Sequence, residues 1–334
     1  MVITGLGPHG EHAVGPERVL LLPEDKARVR AASLRVAIVL HTTESDWARH
    51  LIAGLISTLG ECGVVVIDVV DCHFMPDTQI EVLDRLIRDM PHAIISLPVT
   101  NARVASAHAR VAAAGIKLVL LDNVPTGLLP GKDYVSLVSA DNFGLGKLAA
   151  EGLAPHLPQG ANVGLLGYES DFFATNEREI AFVKWVRINR PDLNLHVARF
   201  PSPSDAVRIA QDLMARTPDL AGFFVVWDTP ALFVAEALKD AGHMLPIATV
   251  DLGREAAINL SAEGPIVAIA AQQPFRQGQA AAMTTVTALL NLATPVWVAL
   301  PGMAVTPDNV VECFQAIWQM PAPREILKQK RLVR

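Results

Sequence analysis

The side chains in this chain with the most chemical reach are polar and aromatic residues that each follow a short apolar run. Leu118-Val119-Leu120-Leu121 is followed by Asp122-Asn123, and Phe223-Phe224-Val225-Val226 by Trp227-Asp228. Ile247 to Val250 leads to Asp251 and Ile266 to Ala271 leads to Gln272, while Val36 to Leu40 leads to His41 and on to Ser45-Asp46-Trp47. Carboxylates and amides hydrogen-bond to hydroxyls, and flat indole faces suit the C–H faces of a sugar or polyol. The chain holds two Tyr and five Trp, so Trp47 and Trp227 at corresponding run ends point to stacking as well as packing. Arg178 sits early in the helical stretch Thr175-Asn176-Glu177-Arg178-Glu179. The helix dipole disfavours a cation there, which gives a functional use weight. Asp228 reads first as the cap of a helix entered at Thr229-Pro230 and second as a ligand contact.

Catalytic chemistry finds less support. Asp122, Asp251 and His41 could form an acid–base set, but carboxylates at strand ends are equally good hydroxyl acceptors. No G-x-S-x-G elbow or H-E-x-x-H pair occurs, and the ten His are scattered without metal-ligand spacing. Gly5-Leu6-Gly7 has no strand before it, and Gly144-Leu145-Gly146-Lys147 lacks the third glycine and spacing of a phosphate-binding loop. The expectation is no catalysis, no cofactor and no metal. Cys62, Cys72 and Cys313 form an odd set without C-x-x-C spacing, read as buried structural thiols.

These residues need elements to position them. From Leu34 onward, β-branched runs alternate with amphipathic stretches, the pattern of a parallel sheet with crossover helices. In the first series Asp46 is the expected cap of a helix whose face is Leu51, Ile52, Leu55, Ile56 and Leu59, closed by Gly63. Val64 to Val70 reads as a buried strand, Ile80 to Ile87 as a helical face and Ala93 to Leu97 as a strand. The helix Val104 to Ala114 then leads to the run ending at Asp122. A second series starts near Ala140 with a helix over Leu145 to Ala154 and a strand over Val163 to Leu166. A helix over Asn176 to Asn189 and a strand over Leu195 to Phe200 follow. Ser204 is expected to cap a helix through Arg216, and Pro230 and Gly242 bracket the helix before the Asp251 strand. A helix from about Arg276 to Leu292, the segment Val296 to Pro301 and a tail complete the chain. Two series of similar length imply two similar doubly wound lobes in an α/β fold.

At 334 residues, 51% hydrophobic and 19% charged, the chain suits two medium domains. A net charge of −6 argues against a nucleic-acid surface. The one cationic run, Lys328 to Arg334, reads as a solvated, frayed end. No apolar stretch reaches the roughly 20 residues that span a bilayer. Met1 to Pro23 lacks the pattern of a secretory signal, so a start after a removed signal and a cytoplasmic protein both remain open.

The order of these residues resembles the type I periplasmic binding proteins of sugar ABC transporters, the ribose- and galactose-binding group, whose fold also forms the effector domain of lactose-repressor-type regulators. The resemblance covers roughly Leu34 to Val311. It is carried by Val138-Ser139-Ala140-Asp141-Asn142-Phe143-Gly144-Leu145-Gly146, by Thr175 to Phe182, by Thr249-Val250-Asp251 and by Ala271-Gln272-Gln273-Pro274. It implies two lobes joined by three crossing segments, closing by a hinge over a ligand. The implied division is an extension at 1–33, one lobe of 34–139 plus 273–301, and another of 140–272 plus 302–334. By position, Trp47 resembles the family's stacking aromatic, with His41 and Ser45 ligand-facing before it. Asp122 resembles a hydroxyl acceptor, and Asn123 stands where some members have a basic residue. Phe172 falls at a pocket-lining position, Arg178 resembles the second lobe's arginine, and Asp251 and Gln272 resemble the last two polar ligands. Trp227 replaces the usual Asn, and Ala48 replaces a second aromatic, so the pocket is rebuilt and a neutral ligand is favoured.

The resemblance therefore implies a monomeric, periplasmic solute-binding protein that captures a monosaccharide or sugar alcohol for a membrane permease and binds no nucleic acid. The rival readings are a sugar-sensing effector domain of a regulator and a sugar-modifying enzyme. No helix-turn-helix pattern precedes Leu34.

Overall fold

The computed structural model describes residues 3–332. The chain divides into two compact units. The N-terminal unit holds Gly5–Ala140 and Gln273–Leu300, and the C-terminal unit holds Thr4, Asp141–Gln272 and residues 301–332.

In the N-terminal unit α1 (Pro23–Ala31) precedes β1 (Arg35–Leu40), α2 (Asp46–Glu61), β2 (Val65–Asp71), α3 (Pro76–Asp89), β3 (Ala93–Ser96), α4 (Ala105–Ala113), β4 (Lys117–Leu121) and β5 (Ser136–Ala140). The C-terminal unit takes over with α5 (Asn142–Leu153), β6 (Asn162–Tyr168), α6 (Phe173–Asn189), β7 (Asn194–Phe200), α7 (Ala206–Arg216), β8 (Leu220–Val225), α8 (Asp228–Asp240), β9 (Ile247–Val250), α9 (Arg254–Ser261) and β10 (Ile266–Ala271). The chain returns to the first unit for α10 (Pro274–Leu289) and β11 (Trp297–Leu300). It ends in the second with β12 (Met303–Val305), α11 (Val310–Trp318) and α12 (Arg324–Leu332).

The two sheets share one topology. The first runs β11-β5-β4-β3-β1-β2 and is parallel throughout. The second runs β12-β10-β9-β8-β6-β7, with only β12 antiparallel. In each, the first and third strands of the unit lie side by side with helices wound in opposite directions from them. That is the topological switch point beside which open α/β sheets hold ligands. The central strands of both sheets are almost entirely buried, as parallel strands covered on both faces must be.

The structure corrects several expectations. β2 is half-exposed rather than buried, because it is the edge strand of its sheet. Asp46 is the first residue of α2, and the cap is Ser45, whose Oγ accepts the Ala48 N–H at 3.1 Å. Ser204 lies inside a short 3-10 turn, Pro203–Asp205, that precedes α7, and it makes no cap bond. The expected C-terminal tail instead contributes Val310, Phe314, Ile317 and Ile326 to the core of its unit. The basic run is helical as far as Leu332, while Val333 and Arg334 lie outside the described residues. Residues before β1 also join the N-terminal unit: Val14 donates to the Trp297 carbonyl and accepts from the Ala299 N–H.

Glycines explain the closest helix contacts. A Cβ on Gly54 of α2 would stand 2.1 Å from the Phe275 carbonyl oxygen, and one on Gly278 of α10 would stand 2.2 Å from that of Leu51. Gly146 of α5 plays the same part against the Arg178 backbone of α6. The Gly144–Lys147 segment is thus helix-packing sequence.

Candidate functional site

At the carboxyl ends of β1 and β2 the N-terminal unit gathers aromatic rings. His41 meets the edge of Trp47 at 5.9 Å between centroids and that of Phe74 at 4.8 Å. Phe74 was invisible to sequence reasoning, because it follows an edge strand through two consecutive left-handed residues, His73 (φ 48°) and Phe74 (φ 57°). Asp71 holds that turn: it accepts from the Thr43 N–H and hydroxyl at 2.8 and 2.9 Å and from the His73 N–H at 2.7 Å. Burial lowers the His41 imidazole to about 4 against the opposing pull of Asp71, so the ring is neutral near pH 7. The Trp47 indole N–H is buried without a partner among the described residues.

The next two strand ends follow the sheet order. After β3, the loop is pinned by Gln79, whose amide donates to the Leu97 carbonyl at 2.9 Å and accepts the Val99 N–H at 2.9 Å. After β4, Asp122 adopts the left-handed conformation (φ 50°) and its Oδ1 accepts the Ala140 N–H at 3.3 Å. Asn123 donates to the Pro98 carbonyl at 3.1 Å. Both are buried. Asn123 therefore serves the β3 loop through its amide, which leaves Asp122 as the more direct acceptor.

The C-terminal unit builds a charged counterpart. Arg178 is 5% exposed. Its Nε donates to Asn142 Oδ1 at 2.9 Å and its Nη1 to the Val226 carbonyl at 3.0 Å, with Asp251 Oδ2 at 3.9 Å. Gln272 donates to Asp251 Oδ1 at 2.6 Å, while its Oε1 is buried without a partner. Asp251, like Asp122, is left-handed, with φ 75°. Burial raises its carboxyl above the usual range, against Arg178 and Gln272, which favour the charged form. A non-glycine residue held in this conformation costs on the order of 1–3 kcal/mol and marks functional sites. Here two carboxylates carry it at corresponding strand ends, β4 and β9.

Trp227 precedes α8, half-buried, edge-on to Tyr168 at 5.3 Å and to Phe200 at 5.1 Å. Phe172, also half-buried, precedes α6, and its carbonyl accepts from Thr175 Oγ1 and the Asn176 N–H. Asp228 does not cap the helix as first expected: it is the helix's first residue, and its Oδ2 accepts the Gly253 N–H at 2.9 Å, fixing the loop after β9. Ser45 spends its Oγ on the α2 cap. Asn142 is a site residue that sequence reasoning missed, although it lies in the Val138 to Gly146 stretch that carries the resemblance.

All three cysteines are free and buried, with burial pushing the Cys72 thiol up to about 12. Among the described residues one group, Glu44, Asp71 and His73, has ligand atoms close enough for a metal, but Asp71 is committed to the turn it holds. No described helix is long and apolar enough to cross a membrane.

A family model described as a periplasmic binding protein domain matches residues 36–292. The ribose import binding protein RbsB of Bacillus subtilis (strain 168) is 25% identical over 250 residues, spanning 74% of this chain and 78% of that protein. A carbohydrate transporter solute-binding protein from Agrobacterium radiobacter, solved with D-arabinose, superposes with a TM-score of 0.78 at 19% identity, covering 86% of this chain and 99% of that one. An ABC transporter solute-binding protein from Agrobacterium vitis, bound to α-D-tagatopyranose, superposes with a TM-score of 0.78 at 23% identity, covering 87% and 99%.

Proposed function

The chain belongs to the periplasmic binding protein family, and on that premise we propose that it captures a monosaccharide or sugar alcohol for an ABC-type importer. The observation that carries this reading is the pair of carboxylates, Asp122 and Asp251, held left-handed at corresponding strand ends of the two sheets. Each unit also carries an indole and amides at its strand ends, and the C-terminal unit one buried arginine, groups that fit hydroxyls and C–H faces. The proposed contacts are His41, Ser45, Trp47, Asp122, Asn123, Phe172, Arg178, Trp227, Asp228, Asp251 and Gln272. Ser45 and Asp228 are the weakest members, since their side chains serve the backbone.

Ligand binding would shift the population of conformations toward the liganded state, which a membrane permease would read. The Arg178 charge is matched by Asp251, so the ligand proposed is neutral. The family is one of binding proteins rather than enzymes, and import is favoured over a regulator's effector domain by the similarity to a ribose import protein. A monomer working in the periplasm and binding no nucleic acid completes the proposal. Isothermal titration with ribose, D-arabinose, D-tagatose and allitol tests it. Saturable binding of at least one, with none of a matched uronic acid, is expected; no binding by any neutral member overturns it.

A further inference from the structure

The loop after β3 holds the least explained polar atoms of the N-terminal unit. Thr100 Oγ1 and Asn101 Oδ1 are both buried without hydrogen-bond partners among the described residues. Nothing in the sequence had marked them. An unpaired buried polar atom costs on the order of 1–3 kcal/mol, and folded proteins rarely keep two neighbours in that state. The usual escape, a small shift of the loop, is closed here. Leu97 donates to the Val39 carbonyl, and Gln79 grips Leu97 and Val99. Asn123 holds the Pro98 carbonyl, and the Thr126 N–H holds that of Asn101. The backbone is therefore tied to β1, to α3 and to the β4 loop, while the two side chains stay unsatisfied.

Their place in the sheet gives the reason. β3 lies between β1 and β4, so this loop stands between the β1–α2 connection that leads to Trp47 on one side and Asp122 on the other, at the switch point where such sheets take ligands. Trp47 adds a buried indole N–H that is likewise without a partner. We propose that Thr100 and Asn101 are specificity-determining contacts that receive hydroxyl groups of the bound ligand. This rests on the sugar-binding reading above and deepens it. Asp122 and Asn101 Oδ1 accept, the Thr100 hydroxyl donates or accepts, and the Trp47 indole donates, a set that matches the hydroxyls of a neutral polyhydroxy ligand, each of which both donates and accepts.

The test uses the full chain and whichever of ribose, D-arabinose, D-tagatose and allitol binds it most tightly. Thr100→Val and Asn101→Leu are each expected to weaken binding by about tenfold or more, with melting temperature of the unliganded protein unchanged or raised, because an unsatisfied group has been removed. Thr100→Ser, which keeps the hydroxyl, retains binding. With a deoxy analogue lacking the partnered hydroxyl, the Thr100→Val loss disappears, which a merely structural role would not produce. Unchanged affinity in both substitutions overturns the inference and leaves the sugar-binding reading standing. So does a loss of stability in step with affinity. If none of the four probes binds the unaltered chain, the sugar-binding reading itself fails and this inference with it.

Discussion

Asp251 concentrates the argument at the scale of single residues. It is strained in φ, buried enough to raise its carboxyl, and flanked by a guanidinium and an amide. Alanine there keeps the left-handed backbone, which it tolerates no better than aspartate, and leaves Arg178 without the Asp251 carboxylate. Asp251→Ala should therefore abolish sugar binding in calorimetric titration while circular dichroism shows an intact fold. Asn142 acts through another group: its Oδ1 orients the Arg178 Nε. Asn142→Leu should weaken binding, and Asn142→Asp, which keeps the acceptor, should restore much of it. His108 tests burial without any role in binding. Its Nδ1 donates to the Val104 carbonyl, its Nε2 accepts from Ser96, and burial lowers the imidazole to about 4. The unfolded chain has an ordinary value near 6.5 and so binds more protons than the folded one between these limits. The stability is complete above pH 6.5 and lost as pH falls, by roughly 2 kcal/mol between pH 7 and pH 5. Denaturant midpoints across that window should fall accordingly, and His108→Gln should reduce the slope while leaving the share that buried His41 contributes in the same direction.

Elements are where small residues decide geometry. Alanine in an exposed helix is better than glycine by about 1 kcal/mol, yet Gly54 faces the backbone of α10 at a distance no Cβ tolerates. Overpacking should win: Gly54→Ala is expected to destabilise by about 1–3 kcal/mol. Gly60→Ala, in the same helix with open space around it, should be neutral or slightly stabilising. Chemical denaturation of both variants gives opposite signs if the close crossing is real. Loss of the α2 cap in Ser45→Ala should cost about 1 kcal/mol. Since Ser45 lies between His41 and Trp47 in the chain, any effect on binding beyond that cost reports a ligand contact as well.

For the whole molecule, each unit has its own sheet, so unfolding need not be a single two-state event. Ligand binding adds stability by mass action, about 2.7 kcal/mol at a hundredfold excess over Kd. The melting temperature should rise steadily with the concentration of the bound sugar, and the rise should vanish in Asp251→Ala. A rise that persists in that variant would move the site elsewhere.

Strand periodicity and the residues ending each run were enough to read the α/β class, the two βα series and the side chains that close β1, β4, β8, β9 and β10, because apolar runs and their polar ends are local signals. The sequence alone also excluded phosphate loops and recognised catalytic spacings. Tertiary structure decided what is non-local. It showed α11, and α12 through Ile326, to pack into the core, placed β2 at an edge, and brought Phe74 to His41 through two left-handed residues. It also revealed the shared strain of Asp122 and Asp251, and it found Thr100 and Asn101, whose significance lies in the partners they lack. Partnership depends on which strands lie side by side, and only the folded sheet specifies that.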